Sequence, residues 1–397
     1  MQMLDSVALV VALTAVLAWV NARFIRLPTT MGVLSIALLL SLGLVGFSHF
    51  GFTDLEAGER QLLSSIDFTD VLMQGMLSML RFAGALHVEW HHLRRYLRQI
   101  AALAVAGTVA STLLIGFAAW YALAWVGIPL PLGYCLVFGA LISPTDPIAV
   151  LGILKSAHVP HNLETTIAGE SLFNDGVGVV LFTLVIALVT QNSVPTWGEG
   201  FELFVREAFG GIAYGGLLGL LGYLMLKSID DAHVEILLTL GLVLGGYALA
   251  NELHVSGPIA MVVAGLFIGN EGRRTAMSDR TRGALDTFWG VVDEILNAVL
   301  FVLIGLEVVI IQFPDGWLGA ALAIIAVTLA ARALTVGLPV SIARPWFGLP
   351  RGSVRVLTWG GVRGGISVAL ALALPHGEHR DVVVMLTYCV VVFSILV

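Results

Sequence analysis

The stretch GESLFNDGVGVV, Gly169 to Val180, puts two acids, Glu170 and Asp175, inside a run that otherwise reads as buried in lipid. A charge at a bilayer centre costs about 2.5–3.5 kcal/mol even on lenient insertion scales, so an acid kept there points to a working site. One helix earlier, ISPTDPIAV (Ile142 to Val150) sets Asp146 between Pro144 and Pro147. These two stretches define a chain that spans a membrane and holds carboxylates inside it.

Composition agrees. The chain has 397 residues, 58% hydrophobic and 12% charged, with a mean hydropathy of +0.94. A soluble domain of this size is about one-quarter charged. The length suits about a dozen spans and no added soluble domain. The net charge of −7 carries little information, because charge in such a chain is sorted by side. Cys135 and Cys389 sit in apolar runs without ligand spacing and read as lipid- or core-facing thiols. Ser6 to Val20 has no basic residue before it and Arg23 and Arg26 after it, which fits a first spanning helix better than a cleaved signal peptide. The last apolar run reaches Val397 without a polar flank, which implies a cytoplasmic tail beyond it.

Apolar runs separated by polar turns predict thirteen helices, at about 6–22, 31–50, 68–87, 98–125, 131–155, 164–191, 204–228, 234–251, 256–270, 287–312, 316–342, 354–374 and 381–397. The basic residues test this count. With the N-terminus outside, the inner loops hold fourteen Lys and Arg, the outer loops hold Arg60, Arg206 and Arg380, and Arg81, Arg332 and Arg363 fall within spans. That bias follows the positive-inside rule and predicts a cytoplasmic C-terminal end.

Two spans are broken in corresponding places. Span five carries Pro144-Thr145-Asp146-Pro147, and span twelve carries Gly360-Gly361-Val362-Arg363-Gly364-Gly365. Proline removes a donor and clashes with the preceding turn, and clustered glycine unwinds a helix at low cost. Each is the middle member of a three-helix group, spans 4–6 and 11–13, in opposite orientation. Paired breaks of this kind point to the midplane site of a secondary transporter built from inverted repeats.

The chemistry follows from the freed oxygens. Backbone carbonyls released at membrane depth are tolerated where they line a cavity, and there they can ligate a cation. Asp146 adds a carboxylate and Thr145 a hydroxyl. In span six, Ser171 and Asp175 share one helix face and Glu170 and Asn174 the neighbouring one. Glu170 and Asp175 are five residues apart, roughly 140° of turn, so they face different partners. Asp175 with Ser171 makes an oxygen-rich site towards Asp146, and Glu170 is placed to pair with Arg332 or Arg363. Counting Asp146, Glu170 and Asp175 against Arg332 and Arg363 leaves one negative charge. A proton and a metal cation can compete for it, and that competition alone gives exchange.

GESLFNDG and SPTDPIAV, with WGGVRGGISVALALALP (Trp359 to Pro375), RFAGALHV (Arg81 to Val88) and LFVLIGLE (Leu300 to Glu307), resemble the monovalent cation/proton antiporters of the NhaP and eukaryotic Na⁺/H⁺-exchanger type. The resemblance covers the whole chain in order. It implies an all-α polytopic membrane protein of the NhaA-like antiporter fold, with thirteen transmembrane helices, inverted repeats and two broken crossing helices. It also implies a homodimer whose core moves elevator-fashion. The expected division is dimerisation helices 1–3 in 1–97, core helices 4–6 in 98–191, a linking helix 7 in 192–230, dimerisation helices 8–10 in 231–315 and core helices 11–13 in 316–397.

Carried over by motif, Asp175 is the carboxylate that binds cation and proton, with Asp146, Ser171 and Thr145 around a Na⁺ ion. Asn174 marks the electroneutral branch, because electrogenic relatives have a second Asp there. Glu170 is the structural partner of Arg332 first and Arg363 second. Some relatives add a glutamate ligand in span three, where this chain has Ala83. The expected function is therefore electroneutral Na⁺(Li⁺)/H⁺ exchange in a bacterial inner or plasma membrane. It involves no cofactor, enzymatic reaction or nucleic acid. A K⁺/H⁺ antiporter on the same scaffold is the nearest alternative. A cation channel would need a continuous polar stripe, and an intramembrane aspartyl enzyme would use Asp146 and Asp175 as a dyad. Three further features read blandly. HVEWHHLRR (His87 to Arg95) reads as an interfacial loop in preference to a metal or pH-sensing cluster of His87, Glu89, His91 and His92, Gly211, Gly215 and Gly219 form a packing ladder, and Glu294 and Glu307 read as interfacial or loop-capping acids.

Overall fold

The computed structural model describes residues 3–48, 75–146, 159–190, 197–309, 311, 313, 316–342, 348–349, 352–375 and 377–397. The first part of span three and the end of span five, Pro147 included, lie outside the described residues. What is described is helical, as lipid requires: a spanning backbone must satisfy its own hydrogen bonds.

The helices used below are α1 (Met3–Val20), α2 (Thr29–Ser48), α3 (Leu77–Leu86), α4 (Trp90–Ala101), α5 (Thr108–Val126), α6 (Leu132–Ile142), α7 (His161–Thr190), α8 (Trp197–Lys227), α9 (Ala232–Glu252), α10 (Gly257–Phe267), α11 (Asp279–Leu306), α12 (Trp317–Ile342), α13 (Ser353–Trp359), α14 (Gly365–Leu372) and α15 (Arg380–Leu396). Among the described residues, seven helical stretches are long and apolar enough to cross a membrane: Val7–Ile25, Thr29–Gly46, Trp90–Val126, Asn162–Val189, Glu202–Lys227, Ala232–Glu252 and Trp317–Ile342. The other helices are shorter, broken or richer in charge.

Several boundaries differ from expectation for local reasons. The polar turn before span four is itself helical: α4 runs through a π-helical segment, Ala102–Gly107, into α5. A left-handed Gly127 (φ 86°) then ends α5. Helix α11 starts at Asp279, well before the apolar run, because Ser278 caps it by accepting from the Thr281 N–H. Asp231 caps α9 in the same way. Its carboxylate accepts from the Val234 and His233 N–H groups, which hold it below the usual carboxylate range.

Lipid offers no hydrophobic force between helices, so close packing has to come from small residues. The ladder on α8 does this. A side chain at Gly211 would meet Ser256 and Ile259, one at Gly215 the Ala260 backbone, and one at Gly219 Phe267. These contacts seat α8 on α10, and the packing reading of the ladder holds. Helix α10 in turn packs on α3, which contacts α11. On the other side, α5 lies against α6 and α12, and α6 against α7. Glu307, expected to be interfacial or to cap a loop, is 5% exposed. It sits in a short 3-10 turn that ends α11 and packs on α2.

Candidate functional site

Helix α7 carries four polar side chains in six residues. Glu170, Ser171, Asn174 and Asp175 are all buried, at 2%, 2%, 1% and 2% exposure. Their partners lie on other elements: Glu170 on α12, Ser171 and Asn174 both on Thr145 after α6, and Asp175 on α3.

Glu170 meets the guanidinium of Arg332 on α12. Arg332 Nη1 donates to Oε1 at 2.5 Å and Nη2 to Oε2 at 3.2 Å, a two-pronged pair. Arg332 also donates to the Leu357 carbonyl at 3.0 Å, near the end of α13. Of the two arginines offered by the sequence, this one faces Glu170. Arg363, 1% exposed, does other work. Its Nη1 donates to the Ser143 carbonyl at 2.8 Å and the Pro144 carbonyl at 3.1 Å. These are carbonyls at the end of α6, where Pro144 and the turn leave backbone oxygens without helical donors.

The two breaks meet. The Asp146 N–H donates to the Val362 carbonyl at 2.7 Å. Ser367 Oγ on α14 donates to the Leu141 carbonyl at 2.7 Å, and Ser394 Oγ accepts from the Arg363 N–H at 2.7 Å. The glycines of the second break are needed for close approach. A Cβ on Gly364 would collide with the Asp146 carboxylate, and one on Gly361 with the Arg332 side chain.

Thr145, at the centre of the first break, is gripped by α7 from one face. Ser171 Oγ donates to its carbonyl at 2.6 Å, and Asn174 Nδ2 donates to its hydroxyl at 2.9 Å. Ser171 and Asn174 are one turn apart, which is why a single threonine can receive both. The same packing carries Asp175 to the next turn.

Asp175 meets a residue that the charge count left out. Arg81 Nη1 on α3 forms an ion pair with Asp175 Oδ2. The signal was present: Arg81 is one of three arginines at membrane depth. Gln74, Ser78 and Arg81 recur at helical spacing and mark one polar face of span three, but the spacing does not say which element that face meets. Arg81 and Gly84 share the face towards α7, where Gly84 packs near Leu172. Ala83 points about 200° away from Arg81, and is fully buried in the cluster with Val243, Met261 and Trp289. Counting Arg81, three guanidiniums stand against Asp146, Glu170 and Asp175, and Asp293, which lines a cavity with Arg81 and Asp146, is a fourth carboxylate.

Arg81, Asp146 and Ser171 line one end of a cavity of about 400 Å³, together with Asp293 of α11. His87, Glu89 and His92 line it at the α3–α4 turn, where His92 Nε2 lies 3.2 Å from Glu89 Oε2. Among the described residues no group of three His, Cys, Asp or Glu is arranged to hold a metal ion. The oxygens that line this end are the Asp146 and Asp293 carboxylates and the Ser171 hydroxyl. Such a set suits a hard monovalent cation or a proton, and it has no thiol or imidazole for a transition metal.

A helical membrane protein whose two interrupted segments meet beside a buried carboxylate is built as an ion carrier. The comparisons define the class further. The family described as sodium/hydrogen exchanger, transmembrane, matches residues 9–397, and the chain belongs to that family. The Na⁺/H⁺ antiporter NhaP of Pseudomonas aeruginosa is 52% identical over 398 residues, covering 99% of this chain and 94% of the relative. The Na⁺/H⁺ antiporter NhaH of Halobacillus dabanensis is 36% identical, covering 94% and 93%. In structure, the chain resembles the sodium proton antiporter MjNhaP1 from Methanocaldococcus jannaschii, with a TM-score of 0.78 over 100% of this chain and 96% of that one. At 18% identity, that likeness speaks for the fold alone. The chain is thus an integral membrane protein of the NhaP type, in a family of transporters, not enzymes.

Proposed function

We propose that this chain exchanges Na⁺ for H⁺ at a single carboxylate, Asp175. The observation that carries this reading is the meeting of the two breaks beside α7: Asp146 on Val362, with Thr145 held by Ser171 and Asn174. That arrangement gathers Asp175, Asp146, the Ser171 hydroxyl and the Thr145 backbone as candidate oxygen ligands for one Na⁺ or Li⁺. Exchange is one-for-one, because Asn174 is an amide and carries no proton beside Asp175. Glu170 with Arg332, and Arg363 with the α6 carbonyls, hold the site together and bind no ion.

The thirteen-span division above supplies the motion. The core, 98–191 and 316–397, slides against the dimerisation helices of 1–97 and 231–315, joined by 192–230. The protein acts as a homodimer in a bacterial inner membrane, N-terminus outside and C-terminal end cytoplasmic. K⁺/H⁺ exchange is the second reading, favoured by one observation: Ala83 lies in the apolar cluster and adds no oxygen to the ion shell.

The test is a pH-sensitive dye in proteoliposomes. Dequenching is expected on adding Na⁺ or Li⁺ to the wild type and is lost in Asp175→Asn. No response to Na⁺, Li⁺ or K⁺ at several pH values overturns the antiporter; exchange retained by Asp175→Asn moves the site elsewhere. A response to K⁺ alone selects the second reading.

A further inference from the structure

We propose that Arg81 is a tethered cation that occupies Asp175 when no transported ion is bound, and so latches the mobile core to the dimerisation helices until one arrives. This rests on the antiporter reading above.

The ion pair joins α3 to α7 across the boundary between those two bodies. Both partners are withdrawn from water, with side-chain exposures of 12% for Arg81 and 3% for Asp175. Glu170–Arg332 and the Arg363 contacts, by contrast, join elements within the proposed core. Arg81 is the one membrane-depth arginine that would stay behind when the core moves.

The charge count then makes sense in two parts. At membrane depth the moving core carries three carboxylates, Asp146, Glu170 and Asp175, and two guanidiniums, Arg332 and Arg363. Empty, that buried cluster bears one net negative charge. Docked, that charge faces Arg81. A core leaving empty would have to break a desolvated ion pair and take an uncovered carboxylate across, both of which are unfavourable. When Na⁺ or H⁺ neutralises Asp175, Arg81 loses what it was attracted to, and the core is free. Asp293 lines the same cavity and offers the released guanidinium a carboxylate.

An internal cation competes with an external one. Apparent affinity is lowered by the fraction of time the site is free, so removing the competitor raises it. Arg81→Gln is therefore expected to lower the half-saturating Na⁺ by about tenfold at fixed pH, with no comparable rise in maximal rate. Arg81→Lys keeps the charge and is expected to stay near the wild-type value. A fold-specifying ion pair would give the opposite pattern: Gln would lose stability without gaining affinity. The wild-type protein supplies a second measurement. Labelling of Arg81 by phenylglyoxal, mapped by mass spectrometry, should rise in Na⁺ relative to choline, because bound Na⁺ releases the guanidinium. Wild-type exchange with an unchanged or higher half-saturation in Arg81→Gln overturns the latch alone. Labelling of Arg81 that Na⁺ leaves unchanged or lowers overturns it as well. Absence of exchange by the wild type overturns the antiporter reading and the latch with it.

Discussion

At the residue scale, the informative pair is Glu170 and Arg332. Both are buried, at 2% and 8% exposure, and joined through two hydrogen bonds. Removing one partner of a buried pair costs about 3–5 kcal/mol, mostly because the other charge is stranded; replacing both by apolar groups is often neutral. Glu170→Ala is therefore expected to lower the thermal midpoint of the purified protein by that order of free energy. Glu170→Ala combined with Arg332→Met should recover most of the loss. A double variant as unstable as the single one would show that the stranded charge is not the cause. The sequence made half of this pair legible. Helical spacing separated Glu170 from Asp175, but two arginines lay at similar depth, and only their packing chose between them. Arg81 was legible only as one of three polar residues, with Gln74 and Ser78, recurring at helical spacing in span three; that its face meets Asp175 is set by packing.

At the scale of elements, the breaks were legible and the helix starts were not. Proline and clustered glycine mark positions where a helix cannot continue, whatever surrounds it. Polar first turns, such as those of α4 and α11, look like loops until their caps and partners are seen. The glycines carry a second meaning that spacing cannot reveal. Gly364 is small because the Asp146 carboxylate lies against its backbone. Gly364→Ala should push that carboxylate aside, and disturbing an ion's supporting shell costs about 10–100-fold in affinity. The expected result is a matching rise in half-saturating Na⁺, with far less loss of thermal stability than Glu170→Ala. Gly216→Ala is the control, since a Cβ there meets nothing within 4 Å. Equal behaviour of the two alanine variants would remove Asp146 from the ion shell.

At the scale of the whole molecule, the question is what charge crosses the membrane in each cycle. Moving one elementary charge through 100 mV involves about 2.3 kcal/mol, so any net charge on the moving part makes turnover depend on membrane potential. On the proposed division, with Arg81 among the static helices, the membrane-depth charges of the core are three carboxylates and two guanidiniums. Asn174 adds none, its side chain being an amide that donates to Thr145. In the proposed cycle one bound Na⁺ would neutralise that cluster in one direction, and one bound H⁺ would do the same in the other. Potassium-loaded proteoliposomes with valinomycin, which set a membrane potential, should therefore show Na⁺/H⁺ exchange at nearly the rate seen without it. Asn174→Asp puts a second ionisable carboxylate on the same core and is expected to make exchange respond to the valinomycin potential, provided the variant still transports. A wild-type rate that changes strongly with potential would mean that the core moves with a net charge. In that case Arg81 would have to travel with it, and α3 could not belong to the static part.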